Sequence, residues 1–195
     1  GIGMLEIKYR IVDDFKTLKM IAADEFDNEW NQITGFFEIC FNEHNEGTYY
    51  HDYTPTNEEG GELLDYWIDK LLQVIILLGS KSEYVAIKEI ETVNRWLEFK
   101  KQGENVVINV AVDDRCQISS LILIENVFFS YIEPIDFVIP YKRLEQQVTD
   151  IATKFLDELS NMNHNLCGTK LFLELSKKIA LAKGNITALP LGGTL

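Results

Sequence analysis

The sequence predicts an α+β fold, in which a mainly antiparallel sheet packs against a central helix and two C-terminal helices. Three observations support this class. Short segments that alternate apolar and polar residues occur in pairs separated by turn-forming residues, which is typical of antiparallel hairpins. One amphipathic helix interrupts the strands, and two more follow them towards the C-terminus. Because two of the helices come late in the chain, we expect the helices to cover one face of the sheet.

The N-terminal strands are predicted from apolar alternation and from turn residues. Residues 5–11 alternate apolar and charged side chains, and residues 35–42 repeat the alternation with aromatic and aliphatic side chains on one face. Residues 43–47 are predicted to form a hairpin turn, since Asn and Gly tolerate positive φ. Residues 48–53 would then be the returning strand. Residues 13–32 begin with helical spacing but become too polar for an assignment.

The central helix is predicted over residues 62–78. Acidic side chains in its first turns suit the positive end of the helix dipole. Gly79 suits the position just after a helix end, where a left-handed residue is common. One apolar stripe runs along the helix at spacings of three and four: Leu63, Trp67, Leu71, Ile75 and Leu78.

The remaining two thirds of the chain are predicted to hold more strands and then two helices. The strands span residues 84–90, 95–101, 106–112, 121–130 and 137–139. Pro140 opens the next helix, because a proline costs no hydrogen bond in the first helical turn. A last helix covers residues 169–182 and is closed by Gly184.

Length and composition predict one α+β domain over residues 4–184, followed by a flexible tail over residues 185–195. Met4 is interpreted as the natural first residue, and no basic segment followed by an apolar one suggests a signal peptide. The longest apolar run, residues 74–78, is too short to cross a membrane. We therefore expect a cytoplasmic protein whose cysteines are reduced. The cysteines are Cys40, Cys116 and Cys167.

Negative charge is concentrated in the first third of the chain. Residues 1–69 carry 16 acids and 4 bases, a net charge of −12, whereas residues 70–195 carry 15 acids and 14 bases. Residues 20–69 contain 13 acids and no Lys or Arg. Such a surface repels nucleic acid and anionic lipid, which are bound through basic residues. It attracts basic proteins, unless it serves only to keep the protein soluble.

Aromatic residues accompany these acids and favour a binding surface over a merely solubilising one. Residues 20–69 hold ten Phe, Trp and Tyr residues, and Tyr and Trp are enriched where proteins bind one another. We therefore predict a surface for a basic protein partner on the hairpin and on the loop after it. The residues predicted to form it are Glu43, Glu46, Tyr49, Tyr50, Asp52, Tyr53, Glu58 and Glu59.

Catalytic and metal-binding patterns are sparse, and no cofactor is expected. The triplet Glu98-Phe99-Lys100 lies on a predicted strand, and a Glu-x-Lys triplet can hold Mg²⁺ in nuclease-like hydrolases. Alternation on a half-exposed strand produces the same triplet by chance, with the charges facing outwards. No zinc is expected either, although four residues have suggestive spacing: Cys40, His44, His164 and Cys167.

The layout resembles that of small acidic immunity proteins from bacterial polymorphic-toxin systems. The resemblance is carried by the acidic-aromatic hairpin, by the helix over residues 62–78, by the strand around residues 96–99 and by the helix after Pro140. It implies a non-enzymatic bacterial protein that neutralises a basic toxin, but it transfers no individual residue. The alternatives are a metal-dependent hydrolase that uses Glu98 and Lys100, and a homo-oligomeric structural protein; the oligomeric state stays open.

Overall fold

A computed structural model describes residues 4–49 and 61–184, which form two antiparallel sheets and a set of helices around a central helix. The predicted α+β class is confirmed. The strands are β1 (Glu6–Ile11), β2 (Thr34–Phe41), β3 (His44–Thr48), β4 (Glu62–Leu63), β5 (Tyr84–Lys88), β6 (Arg95–Gln102), β7 (Asn105–Val112), β8 (Ile122–Leu123) and β9 (Phe137–Pro140). The helices are α1 (Phe15–Leu18), α2 (Ala23–Glu25), α3 (Leu64–Ser80), α4 (Tyr141–Met162) and α5 (Lys170–Ala182).

The first sheet is built on β2, which pairs with β1, β3 and β4. The predicted hairpin turn over residues 43–47 is wrong. The turn consists of Asn42 and Glu43, whose φ angles of 49° and 63° make a two-residue connection that matches strand twist. Gly47 lies inside β3. The position requires glycine because a Cβ there would collide with the carbonyl oxygen of Phe37. The return strand is therefore β3, which ends where the predicted one begins.

The second sheet has the order β8-β5-β6-β7-β9 within the described residues, and all of its pairs are antiparallel. The strand predicted over residues 121–130 is wrong, since only Ile122–Leu123 pair with β5. The rest of that segment crosses the sheet face that points away from the main core. There Phe129 packs on Trp96, with ring centroids 5.6 Å apart. Leu123 and Phe129 thus pack on this face, whereas Leu121, Ile124 and Phe128 are exposed.

The central helix α3 contacts both sheets and both C-terminal helices. The predicted stripe is buried from Trp67 to Leu78, and the Trp67 ring stacks on Phe37 at a centroid distance of 4.4 Å. Gly79 lies within the helix instead of after it. A Cβ at Gly79 would collide with the hydroxyl of Tyr141, so this glycine permits close packing of α3 against α4.

The C-terminal helices follow the prediction closely. Pro140 directly precedes α4 in an extended conformation, and Thr169 caps α5 by accepting a hydrogen bond from the Phe172 N–H. The segment left unassigned contains α1, α2 and a π-helical turn over Phe26–Trp30 that ends at Asn31 with φ 52°. No helix in the described part of the chain is long and apolar enough to cross a membrane. The predicted tail over residues 185–195 lies outside the described residues.

Candidate binding site

The hairpin of β2 and β3 places two predicted partner-binding residues in opposite environments. Glu43 is exposed at the turn, whereas Glu46 is only 5% exposed and lies between the two sheets. Tyr49 is half-buried beside Arg10, whose guanidinium carbon is 6.0 Å from the ring centroid. The other predicted residues, Tyr50, Asp52, Tyr53, Glu58 and Glu59, lie outside the described part of the chain.

Glu46 joins the two sheets through a bidentate ion pair. Its Oε1 accepts a hydrogen bond from Arg95 Nε and its Oε2 accepts one from Arg95 Nη2, both at 2.8 Å. His44 Nε2 lies 2.8 Å from the same Oε2. Paired hydrogen bonds of this kind fix the geometry of both side chains. The Glu46 charge is therefore already used inside the protein.

Glu89 adds a second buried carboxyl group beside Glu46. It is 3% exposed, and its Oε2 accepts no hydrogen bond from a donor among the described residues. Burial and the neighbouring carboxyl group of Glu46 raise the pKa of Glu89 to about 9. Two carboxyl oxygens in contact cannot both be ionised without a proton or a cation between them. At neutral pH the pair therefore holds a proton.

Glu62 contributes a third buried carboxyl group. It is 4% exposed, and its Oε2 accepts a hydrogen bond of 2.9 Å from the indole Nε1–H of Trp67. Burial raises the pKa of Glu62, while the hydrogen bonds from Trp67 and Thr48 oppose the increase. The stacking of Trp67 on Phe37 holds the indole in place. The main core thus positions this carboxyl group.

These side chains line a cavity of about 140 Å³ between the sheets, which we call the carboxyl cleft. It contains four carboxyl groups and one guanidinium group, so its acids outnumber its permanent cations among the described residues. The lining residues are Asn45, Glu46, Gly47, Thr48, Glu62, Trp67, Glu89, Glu91, Thr92 and Arg95. Buried ionisable groups with displaced pKa values in a cavity are candidates for a functional site.

A larger groove of about 550 Å³ lies beside the π-helical turn, between α3 and α5. Burial raises the pKa of Asp65 there to about 6. Its Oδ1 nevertheless accepts a hydrogen bond from the Ile33 N–H. Asp69 is paired with Lys70, with Lys178 and with the Gln73 amide. Most charges in this groove are therefore matched within the protein, unlike those in the carboxyl cleft.

Glu98 and Lys100, which the alternative hydrolase hypothesis would use, lie on β6. Glu98 was expected to face outwards, but it is fully buried under the segment that crosses the second sheet. Its Oε2 accepts hydrogen bonds from Tyr84 at 2.8 Å and from Tyr131 at 2.6 Å, and Lys100 Nζ lies 3.5 Å from its Oε1. In this arrangement the Glu98 side chain is closed to solvent.

Metal-ligand geometry is not found among residues 4–49 and 61–184, where no group of three or more His, Cys, Asp or Glu could hold a metal ion. His164 Nδ1 lies 3.9 Å from Cys167 Sγ, but His44 contacts Glu46 instead of Cys40. The expected absence of zinc stays a prediction.

Sequence reasoning missed Glu89 and Arg95. A signal for Glu89 was present, because Val85 and Ile87 face the core and Glu89 continues their two-residue period. An acid at a core-facing position requires a partner or a proton. Arg95 carried no such signal, since its partner lies 49 residues away in the other sheet.

Comparison of the chain with protein-family models, with curated proteins and with solved structures finds no match. The proposed function is therefore based on the geometry of the described residues.

Proposed function

We propose that the protein is a non-enzymatic binding module that takes a basic protein partner at the carboxyl cleft and the acidic surface around it. One observation carries the proposal: among the described residues, the cleft holds three buried carboxyl groups, from Glu46, Glu62 and Glu89, against one guanidinium, that of Arg95. A buried site with surplus carboxyl groups gains most from a cation that a partner supplies.

The rim of the cleft supports the same proposal. Glu91 lines the cleft and is exposed, and Glu43 is exposed at the neighbouring hairpin turn. Neither residue has a salt-bridge partner among the described residues. Exposed charges of this kind accelerate the encounter with a basic partner and contribute less to the lifetime of the complex.

The first test uses decalysine as a basic probe and measures association by surface plasmon resonance at two salt concentrations. We expect the double variant Glu43→Gln, Glu91→Gln to lower the association rate at low salt. The matched control is Glu125→Gln, Glu133→Gln, which removes two exposed acids outside the cleft. Equal losses in the two variants would show that the probe senses only net charge, and would overturn the proposal.

A basic toxin is the partner class that the proposal favours. An immunity protein must bind its toxin quickly and tightly, and an acidic rim around buried carboxyl groups suits both requirements. The test is co-expression of this chain with the product of the adjacent gene, with growth of the host as the readout. Protection that is lost in the Glu43→Gln, Glu91→Gln variant, and kept in the control, would support the toxin as partner. Growth that does not depend on this chain would rule out that gene product as the partner.

A further inference from the structure

The contact between Glu46 and Glu89 requires a positively charged occupant. Glu46 already accepts hydrogen bonds from Arg95 on one side and lies against Glu89 on the other. Glu89 Oε2 is buried and accepts no hydrogen bond from a donor in the described chain. Either a proton or a positively charged donor must therefore lie between the two carboxyl groups.

We propose that the carboxyl cleft binds one primary ammonium group, such as that of a lysine side chain, in place of the proton shared by Glu46 and Glu89. This inference rests on the proposed function and specifies its chemistry. The ammonium group donates to Glu46, Glu89 and Glu62, and its methylene groups extend through the cavity towards solvent.

The arrangement of the acceptors favours an ammonium group over a guanidinium. Glu46 lies on β3, Glu62 on β4 and Glu89 directly after β5, so their carboxyl groups approach the cleft from three chain segments. An ammonium group has three N–H donors that point in different directions, whereas a guanidinium presents its donors in one plane. The cavity of about 140 Å³ equals about four to five water volumes. That space holds an ammonium group and a short alkyl chain.

The exchange is balanced in atoms and charge. Glu89 enters the reaction as a carboxylic acid, the ammonium group binds with its positive charge, and one proton leaves for the solvent. The O–H bond of Glu89 breaks, and no other covalent bond changes. The charged and titratable groups near the pair are His44 on β3, Glu62 on β4, Lys88 at the end of β5, Glu91 in the following turn and Arg95 on β6.

The test measures the binding of n-butylammonium chloride by isothermal titration calorimetry in two buffers of different ionisation enthalpy. We expect release of about one proton per bound amine at pH 7.5, because Glu89 must ionise. We also expect the affinity to rise up to about tenfold per pH unit between pH 6 and pH 8. Tetramethylammonium and 1-pentanol, which lack the N–H donors or the charge, should not bind. Binding without proton release, or equal binding of tetramethylammonium, would overturn the proposal.

Two variants make the assignment specific. Glu89→Gln should abolish proton release and weaken butylammonium binding at least tenfold, whereas Glu125→Gln, at an exposed acid outside the cleft, should leave proton release unchanged. A second readout is the indole N–H signal of Trp67 in NMR spectra, which should shift on binding because this group donates to Glu62. Absence of that shift at saturating butylammonium would contradict the site. Salt-dependent decalysine binding that survives this result would leave the proposed function standing and remove only the ammonium site.

Discussion

Glu89 and Glu98 are both buried carboxyl groups near the second sheet, but they differ in how the chain satisfies them. Glu98 accepts two tyrosine hydroxyl hydrogen bonds and has Lys100 nearby. Each group has one buried oxygen that accepts no hydrogen bond within the described residues, but the oxygen of Glu98 has Lys100 Nζ at 3.5 Å, whereas Glu89 has a second carboxyl group against it. Glu98 is even more deeply buried than Glu89. Depth of burial therefore does not separate the two groups, whereas the charge beside each does: an ammonium group lies beside Glu98 and a carboxyl group beside Glu89.

The largest expected effect is the loss of stability when a buried tryptophan beneath each carboxyl group is truncated. Trp67 belongs to the main core, and Trp96 belongs to the small cluster beneath the segment that crosses the second sheet. Trp67→Ala should lower the free energy of unfolding by about 4–5 kcal/mol, and Trp96→Ala by about 3 kcal/mol, because the crossing segment can partly collapse into the space. Urea unfolding measures both values. A larger loss for Trp96→Ala than for Trp67→Ala would show that the small cluster is packed more tightly than the main core.

Arg95→Met should lower the free energy of unfolding by about 2–3 kcal/mol. The substitution leaves Glu46 buried without its guanidinium partner, and the partial exposure of Arg95 reduces the cost below that of a fully enclosed pair. Arg115→Met, at an exposed position, is the matched control and should change stability by less than about 0.5 kcal/mol. Equal stability of both variants would mean that water solvates the Glu46 carboxylate well enough to replace the guanidinium of Arg95.

The pH dependence of stability isolates Glu89. Its pKa is raised from an ordinary 4.5 to about 9 in the folded protein, so the folded state holds one more proton than the unfolded state between these values. The stabilisation is complete below pH 4.5 and is lost as the pH rises towards 9. Wild-type protein should lose about 2–3 kcal/mol between pH 6 and pH 8 through this group. Glu89→Gln should remove that loss, and chemical unfolding at both pH values measures it.

The sequence predicted the elements well where a single periodic pattern decides the structure. The stripe of α3 and the alternation of β6 and β7 are such patterns, and all three elements are present. It failed at residues 121–130, where only two residues pair as a strand, some apolar residues pack across the sheet face and others are exposed. It placed the hairpin turn at Gly47 because glycine suggests turns, whereas close contact with Phe37 requires the glycine.

The candidate site could be predicted only in part. Glu46 was included for its charge, but its burial depends on the turn at Asn42 and Glu43, which sequence reasoning misplaced. Its pairing with Arg95 joins two sheets that are remote along the chain, and no local pattern carries that information. Long-range charge pairing is thus the part of this site that required the three-dimensional structure.

The smallest expected effect concerns the hydrogen bond from Tyr131 to Glu98. Tyr131→Phe should lower the free energy of unfolding by about 1 kcal/mol, since the hydroxyl donates to a charged group but the ring is partly exposed. Tyr84 and Lys100 would still compensate the carboxylate, so n-butylammonium should not bind there. The test uses the double variant Glu89→Gln, Tyr131→Phe, in which the carboxyl cleft can no longer bind the amine with release of a proton. Proton-linked butylammonium binding by that double variant would show that Glu98 also accepts a cation once a donor is removed. The difference in cation binding between Glu89 and Glu98 would then depend only on the hydroxyl group of Tyr131.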